Sequence, residues 1–129
     1  MELDRITRKI RIEVKGAEHS LLFTLSGLEQ IDDFFPGGVM GMASHAEDLM
    51  KIKTLVKLLK IALNNAGERV DDEQARAIAG VIIKENGLVY LANALLATLG
   101  ACGVLGKEAG NKVLQSVGLT PDEVDEPKK

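Results

Sequence analysis

The sequence predicts an α+β protein, predominantly α-helical, in which an N-terminal β-hairpin is followed by about four to five helices. Near the N-terminus apolar and charged residues alternate, which is typical of strands with one buried face. From residue 26 onward apolar residues recur every three or four positions, which is typical of helices. The length of 129 residues suits one domain, expected over residues 1–118, with an acidic, flexible tail over residues 119–129.

Composition excludes several classes of function. Aromatic residues make up 3% of the chain and the formal net charge is −3, so neither base stacking nor a general attraction to phosphate is favoured. We therefore expect no nucleic-acid partner. The single cysteine, Cys102, excludes an internal disulfide and is typical of a reducing compartment.

The predicted hairpin covers residues 6–25, with a turn over residues 16–19. Its first strand has basic side chains on the outward face. These protect a sheet edge or, as the alternative, form a docking strip for an acidic partner. The apolar residues that predict the strands are Ile10, Ile12, Val14, Leu21, Phe23 and Leu25, and the basic ones are Lys9, Arg11 and Lys15.

A short helix is predicted to begin at Ser26, which forms a capping-box pattern with Glu29. The glycine-rich segment 36–43 that follows is predicted to be a loop. It lacks the Gly-Lys-Ser/Thr ending of a phosphate-binding loop. Met40 and Met42 have adaptable side chains, so they are candidates for a contact with a partner; folding back onto the core is the alternative.

A second capping-box pattern, Ser44 with Glu47, predicts the start of the clearest helix. Three lysines share a different face from its apolar residues. They indicate an ordinary solvated stripe or, as the alternative, a surface for membranes or acidic partners. The apolar face comprises Leu49, Ile52, Val56, Leu59 and Leu63, and the lysines are Lys53, Lys57 and Lys60.

Three further helices are predicted after residue 70. The first is capped by Asp71 or Asp72, and Gly80 inside it indicates close packing of a neighbour. The second lies in segment 88–106, which carries no charged residue, and the third covers residues 107–117. Beyond it, Thr120 and Pro121 have the pattern of another helix start.

Segment 88–106 is more apolar than one small domain can easily cover. Its glycines and polar residues disfavour a membrane span, so we expect a helix buried on all sides. A second copy of the same chain is the simplest partner that would cover this segment. Leu91, Leu95 and Leu99 on one face are therefore predicted to contact a partner or a second copy.

No combination of residues indicates catalysis. His19 and His45 are far apart and belong to no metal-ligand pattern, and Cys102 lies in an apolar run that disfavours its thiolate. The paired acids lie at helix starts or turns, where they cap and solubilise. We expect no enzyme activity, no cofactor and no metal.

The order of these elements carries a resemblance to a known family. A basic alternating strand is followed by a leucine-rich strand, residues 21–25, and a short helix that begins Ser26-Gly27-Leu28-Glu29. A glycine-rich break, a long amphipathic helix, an acid-capped helix and an apolar helix come next. Over about residues 7–115 this order resembles that of the tail assembly chaperones of long-tailed, siphovirus-type phages and prophages, including gene-transfer-agent relatives.

The resemblance implies a protein without catalysis that binds the tape-measure protein and helps to recruit tail-tube subunits. It also implies a homo-oligomer in the cytoplasm of the bacterial host, absent from the mature virion, with no membrane partner. A programmed frameshift gives many members a longer form, and Pro127-Lys128-Lys129 is compatible with a slippery codon sequence. The alternative function is a small structural tail or head–tail connector protein that stays in the virion.

Overall fold

Three antiparallel strands precede seven helices in the computed structural model, which describes residues 1–120. The α+β, mostly helical class is therefore confirmed. The predicted tail from residue 121 onward, the helix start at Pro121 and the codon-slip site lie outside the described residues. The strands are β1 (Glu2–Leu3), β2 (Ile10–Val14) and β3 (Ala17–Leu21), and the helices are α1 (Leu25–Phe34), α2 (Gly38–Ser44), α3 (Ala46–Leu49), α4 (Ile52–Asn65), α5 (Asp72–Asn86), α6 (Leu88–Ala101) and α7 (Lys107–Ser116).

The hairpin is tighter than predicted. Lys15 and Gly16 both have positive φ, 51° and 80°, which gives the two-residue turn that matches the twist of paired strands. Val14 consequently pairs with Ala17, and the predicted turn over residues 16–19 is wrong. The leucine-rich stretch 21–25 contributes only Leu21 to β3.

The sheet has a third strand that the sequence pattern does not reveal. Glu2 pairs with Arg11 and Leu3 pairs with Ile10, so β1 protects one edge of β2 in the order β1-β2-β3. The Arg11 Nη2 donates to Glu2 Oε1 at 2.9 Å across this pair. Two residues are too few to show a period-2 alternation, which explains why β1 was not predicted.

Helix α1 begins before the predicted capping residue. Its N-cap is Thr24, whose Oγ1 accepts a hydrogen bond from the Gly27 amide at 3.3 Å. Asn65 of α4 holds Thr24 in place, because the Asn65 Oδ1 accepts from the Thr24 amide at 2.9 Å and its hydroxyl at 3.0 Å. This contact between distant residues makes Thr24, and not Ser26, the cap.

The glycine-rich segment predicted to be a loop forms helix α2. The Asp32 carboxylate in α1 accepts a hydrogen bond from the Val39 amide at 2.8 Å, so a side chain from the preceding helix satisfies the new N-terminus. A Cβ at Gly41 would collide with the carbonyl oxygen of Pro36. Glycine is therefore required here for close approach of the chain, and the loop prediction is wrong.

The long helix predicted from residue 44 is divided into α3 and α4. Ser44 ends α2, where its Oγ donates to the Met40 carbonyl at 2.7 Å, so it caps no later helix. Met50 is the C-cap of α3, and Lys51, with extended backbone, is the N-cap of α4. The break turns Ile52 outward, 59% exposed, while Leu49 stays buried.

Helix α5 begins as predicted, with Asp71 as the cap. Its carboxylate accepts from the Gln74 amide at 2.8 Å, and the Gln74 side chain accepts from the Asp71 amide at 2.9 Å. Such a reciprocal pair satisfies two helix N-terminal donors. Gly80 is exposed, and no atom lies within 4 Å of the place that a Cβ would take there, so the predicted close packing is wrong.

The apolar helix α6 lies at the centre of the core and is covered by the same chain. It contacts α4, α5 and α7 and the sheet strand β2. Small residues let these neighbours approach closely, so one domain buries a helix that is apolar on all sides. Covering α6 therefore requires no second copy of the chain. The small residues are Ala92, Ala94, Ala97, Gly100 and Ala101.

Candidate functional site

The predicted contact residues separate into a buried group and one exposed side chain. Leu91, Leu95 and Leu99 have no exposed surface, and Met42 is 1% exposed. Met40 is 66% exposed on α2. The structure therefore removes the three leucines and Met42 from the candidate contact surface and leaves Met40 on it.

Other large apolar side chains are also exposed. They come from several separate elements, so the sequence pattern of no single helix or strand identifies them. Single exposed apolar side chains are common on soluble proteins, so these positions do not by themselves define a docking surface. With Met40, the exposed large apolar residues are Ile6, Leu25, Ile52, Val89 and Val104.

A groove of about 430 Å³ lies between α1 and α4 and ends near the start of α5; we call it the α1–α4 groove. Phe34 and Ile61 provide its apolar lining. The Lys57 ammonium lies 4.9 Å from the centre of the Phe34 ring, within cation–π range. The other lining residues are Gln30, Asp33, Lys60, Asn64, Asn65 and Asp72.

The predicted lysine stripe on α4 takes part in contacts within the chain. Lys60 donates to Asp72 Oδ1 at 2.9 Å, and Lys57 lies over Phe34. The pKa of Asp72 is lowered, because Lys60 donates a hydrogen bond to this carboxylate and attracts it. Two of the three lysines therefore line the α1–α4 groove, and Lys53 does not.

The outer face of the sheet carries both signs of charge. Arg11 pairs with Glu2, and Lys9 reaches back to donate to the Ala66 carbonyl at 3.3 Å. Glu13 and Glu18 stand directly opposite each other on β2 and β3. With these carboxylates beside Arg11, the face is not the uniformly basic strip that would suit an acidic partner.

The two histidines are in separate places. His19 Nδ1 lies 2.8 Å from Glu68 Oε1, which links β3 to the loop after α4. His45 precedes α3 and makes no side-chain capping hydrogen bond. Within residues 1–120, no group of three or more His, Cys, Asp or Glu side chains is placed to hold a metal ion.

Cys102 and Asp4 have shifted acidities with simple causes. Burial raises the pKa of the Cys102 thiol, whose sulfur donates to the Leu99 carbonyl at 3.1 Å. Hydrogen bonds from the Thr7 and Ile6 amides lower the pKa of the Asp4 carboxyl. The raised pKa of Cys102 disfavours a thiolate nucleophile. The hydrogen bonds that lower the pKa of Asp4 stabilise a surface turn.

Sequence reasoning missed Phe34 as a groove residue. Its contact with Lys57 joins two helices that are far apart in sequence, and neither residue belongs to a motif that predicts the pair. The lysine spacing on α4 indicated a charged helix face but no groove. The groove depends on how α1 is held against α4 through Thr24 and Asn65.

Across the described part of the chain, no single helix is long and apolar enough to cross a membrane. Helices α5 and α6 reach that length and composition only together, and they meet at a bend of 117°.

Comparison with known proteins identifies no relative. No family model, no curated protein and no solved structure matches this chain.

Proposed function

We propose that this protein is a tail assembly chaperone of a siphovirus-type phage or prophage, which binds the tape-measure protein without catalysis. The observation that carries the proposal is the order of elements that resembles this family over about residues 7–115. In the fold, strands β2 and β3 are followed by the short helix α1, the glycine-rich helix α2, the one-turn helix α3, the lysine-bearing helix α4, the acid-capped helix α5 and the apolar helix α6.

The contact with the tape-measure protein is assigned to the α1–α4 groove and to Met40. An amphipathic helix docks by laying apolar side chains into a groove while charged groups pair at the rim. Phe34 and Ile61 offer apolar surface, and Asp33 offers a rim carboxylate. Met40 adds an exposed, adaptable side chain on α2.

The remaining parts of the proposal concern assembly. The chaperone recruits tail-tube subunits, acts in the cytoplasm of the bacterial host and does not stay in the mature virion. Self-association proceeds through exposed surface, because Leu91, Leu95 and Leu99 are buried within one chain.

Co-expression with the tape-measure protein encoded in the same gene cluster tests the proposal. We expect the tape-measure protein to be soluble with this chain and insoluble without it. Met40→Asp should reduce the soluble fraction, whereas the control Val104→Asp, also at an exposed apolar residue, should not. A tape-measure protein that is equally insoluble with and without the chain would contradict the proposal.

A further inference from the structure

Strand β3 forms an open edge of the sheet. The strand order β1-β2-β3 places β2 on one side of β3, and no strand among the described residues lies on its other side. The strand is five residues long, Ala17–Leu21. An edge strand presents its outward N–H and C=O groups to any strand that can pair with them.

The hydrogen bonds of the sheet show which backbone groups of β3 point outward. The Asp4 amide donates to the Lys9 carbonyl at 2.9 Å. Lys9 and the odd-numbered residues of β2 after it therefore direct their backbone groups toward β1, and the even-numbered residues direct theirs toward β3. The partners of those even-numbered residues are the odd-numbered residues of β3, which bond to β2. The N–H and C=O groups of Glu18 and Ser20 consequently point away from the sheet.

A short part of this edge is open. The Leu22 amide, which points in the same outward direction, donates to the Ala62 carbonyl of α4 at 3.2 Å, so α4 covers the edge at Leu22. Glu18 is exposed and Ser20 is partly exposed. Within the described residues, no backbone group pairs with the outward amides and carbonyls of Glu18 and Ser20. These two residues therefore offer two donors and two acceptors to another chain.

We propose that a second copy of this chain pairs its own β3 with this edge, in antiparallel orientation about a two-fold axis at His19. Glu18 then pairs with Ser20 of the second copy, and Ser20 pairs with Glu18 of the second copy, so all the outward groups of both residues are hydrogen-bonded. A two-fold contact requires a surface that is complementary to itself, and this edge meets that requirement. The two three-stranded sheets join into one.

Charge and neighbouring contacts select this register. A shift that places Glu18 opposite Glu18 of the second copy brings two carboxylates together, which is destabilising. The opposite shift requires the Leu22 amide, which already donates to Ala62. In the proposed register the Glu18 carboxylate faces the Ser20 hydroxyl of the second copy, so an acceptor faces a donor. This match favours a second copy over a partner of unrelated sequence.

His19 is compatible with a position on the two-fold axis. Its Nδ1 lies 2.8 Å from Glu68 Oε1 of the same chain, and its side chain is 13% exposed. Each histidine therefore has a carboxylate of its own chain beside it. A positive charge on either ring is balanced before the two copies meet.

The paired edge is small, so we expect a weak dimer whose population rises with concentration. This inference does not rest on the proposed function, because it uses only the hydrogen bonds and side chains of the sheet edge. A chain that stays monomeric would leave the binding of the tape-measure protein untouched, since that binding is measured separately by solubility.

Amide hydrogen exchange of the full chain, measured by NMR from about 20 μM to about 1 mM, tests the pairing. We expect exchange at the Glu18 and Ser20 amides to slow several-fold as the concentration rises, while the mass from sedimentation approaches that of a dimer. The Leu22 amide is the internal control. Its bond to Ala62 lies within one chain, so its exchange should not depend on concentration.

Charge variants test the register. Ser20→Glu places a carboxylate opposite Glu18 of the second copy and should weaken dimerisation several-fold. Adding Glu18→Lys to Ser20→Glu makes the facing charges opposite in sign and should restore dimerisation. Ser116→Glu, the same change at an exposed serine of α7, is the matched control and should leave dimerisation unchanged.

Four results would overturn the proposed pairing. A chain that is monomeric at every concentration excludes it. A dimer whose Glu18 and Ser20 amides exchange at a rate independent of concentration uses another surface. A dimer that Ser20→Glu leaves unchanged contradicts the register. Slowed exchange at these amides that appears only when the tape-measure protein is added assigns the edge to that partner.

Discussion

Gly100 of α6 and Gly110 of α7 face each other where the two helices cross. A Cβ at Gly110 would lie 2.7 Å from the Gly100 carbonyl oxygen, and a Cβ at Gly100 would lie 3.0 Å from the Gly110 carbonyl oxygen. The helix backbones therefore approach closely because neither residue has a side chain. This contact lets α7 cover the apolar helix α6 within one chain.

Gly110→Ala should destabilise the fold by about 1–3 kcal/mol, because the added methyl group overpacks the α6–α7 crossing. Gly80→Ala is the matched control, since Gly80 also lies inside a helix but has no atom within 4 Å of its Cβ position. It should stabilise the fold by about 0.5–1 kcal/mol through helix propensity. Urea unfolding measures both, and destabilisation of equal size in the two variants would contradict the account.

Leu95→Ala should reduce the free energy of unfolding by about 2–5 kcal/mol, because Leu95 is fully buried within the chain. Leu25→Ala, at a side chain 74% exposed, should change it by at most about 0.5 kcal/mol. Thermal unfolding and gel filtration check both variants. A Leu95→Ala protein with unchanged stability and a smaller oligomer would restore the interpretation of Leu95 as a subunit contact.

Asp32→Ala should cost about 1 kcal/mol, because the Val39 amide at the start of α2 loses its acceptor. Asp33→Ala controls for the loss of a neighbouring charge, and Asp33 lines the groove without capping a helix. Hydrogen exchange at the Val39 amide should accelerate in the Asp32 variant alone. Equal acceleration in both variants would show that charge, and not the hydrogen bond, matters.

The free energy of unfolding should fall in acid, because Asp4 and Asp72 become protonated there. The pKa of each is lowered in the folded state below the ordinary 3.8. A lowered folded pKa contributes stability that is present above 3.8 and is lost as the pH falls through the folded value. Asp4→Asn keeps an acceptor for the Ile6 and Thr7 amides but cannot titrate. Its melting temperature should depend less on pH between about 5 and 2 than that of the unchanged chain; an identical pH dependence would argue against a role for Asp4.

Cys102 should react slowly with iodoacetamide. Burial raises the pKa of this thiol and so lowers its thiolate fraction at neutral pH. The same chain unfolded in urea is the control, and its alkylation rate should be several-fold higher at equal pH. Mass spectrometry measures both rates; equal rates would show that the thiol is exposed in the folded chain.

Sequence patterns predicted those helices and strands whose capping and burial depend on residues close by in the sequence. The alternation from Ile10 to Val14 identified β2, and Asp71 was one of the two predicted caps of α5. Helix α2 was missed because its capping carboxylate, Asp32, and the carbonyl that requires Gly41 belong to earlier segments. Helix propensity ranks glycine as a poor helix former and carries no information about such contacts.

The candidate site was predictable only in part. Met40 was identified from its glycine-rich surroundings, but the same reasoning gave no way to separate it from the buried Met42. The α1–α4 groove depends on Phe34 lying beneath Lys57, a contact between two elements. Leu95 was predicted to need a partner because apolar spacing does not show that small residues let α5 and α7 cover α6.

Quantitative mass spectrometry of this chain in lysate and in purified particles tests the central claim most directly. The proposed chaperone should be abundant in the lysate, co-purify there with the tape-measure protein and be absent from finished particles. Retention in purified particles at a fixed ratio to the tail-tube protein would contradict the account and assign the chain to the structural tail or connector class.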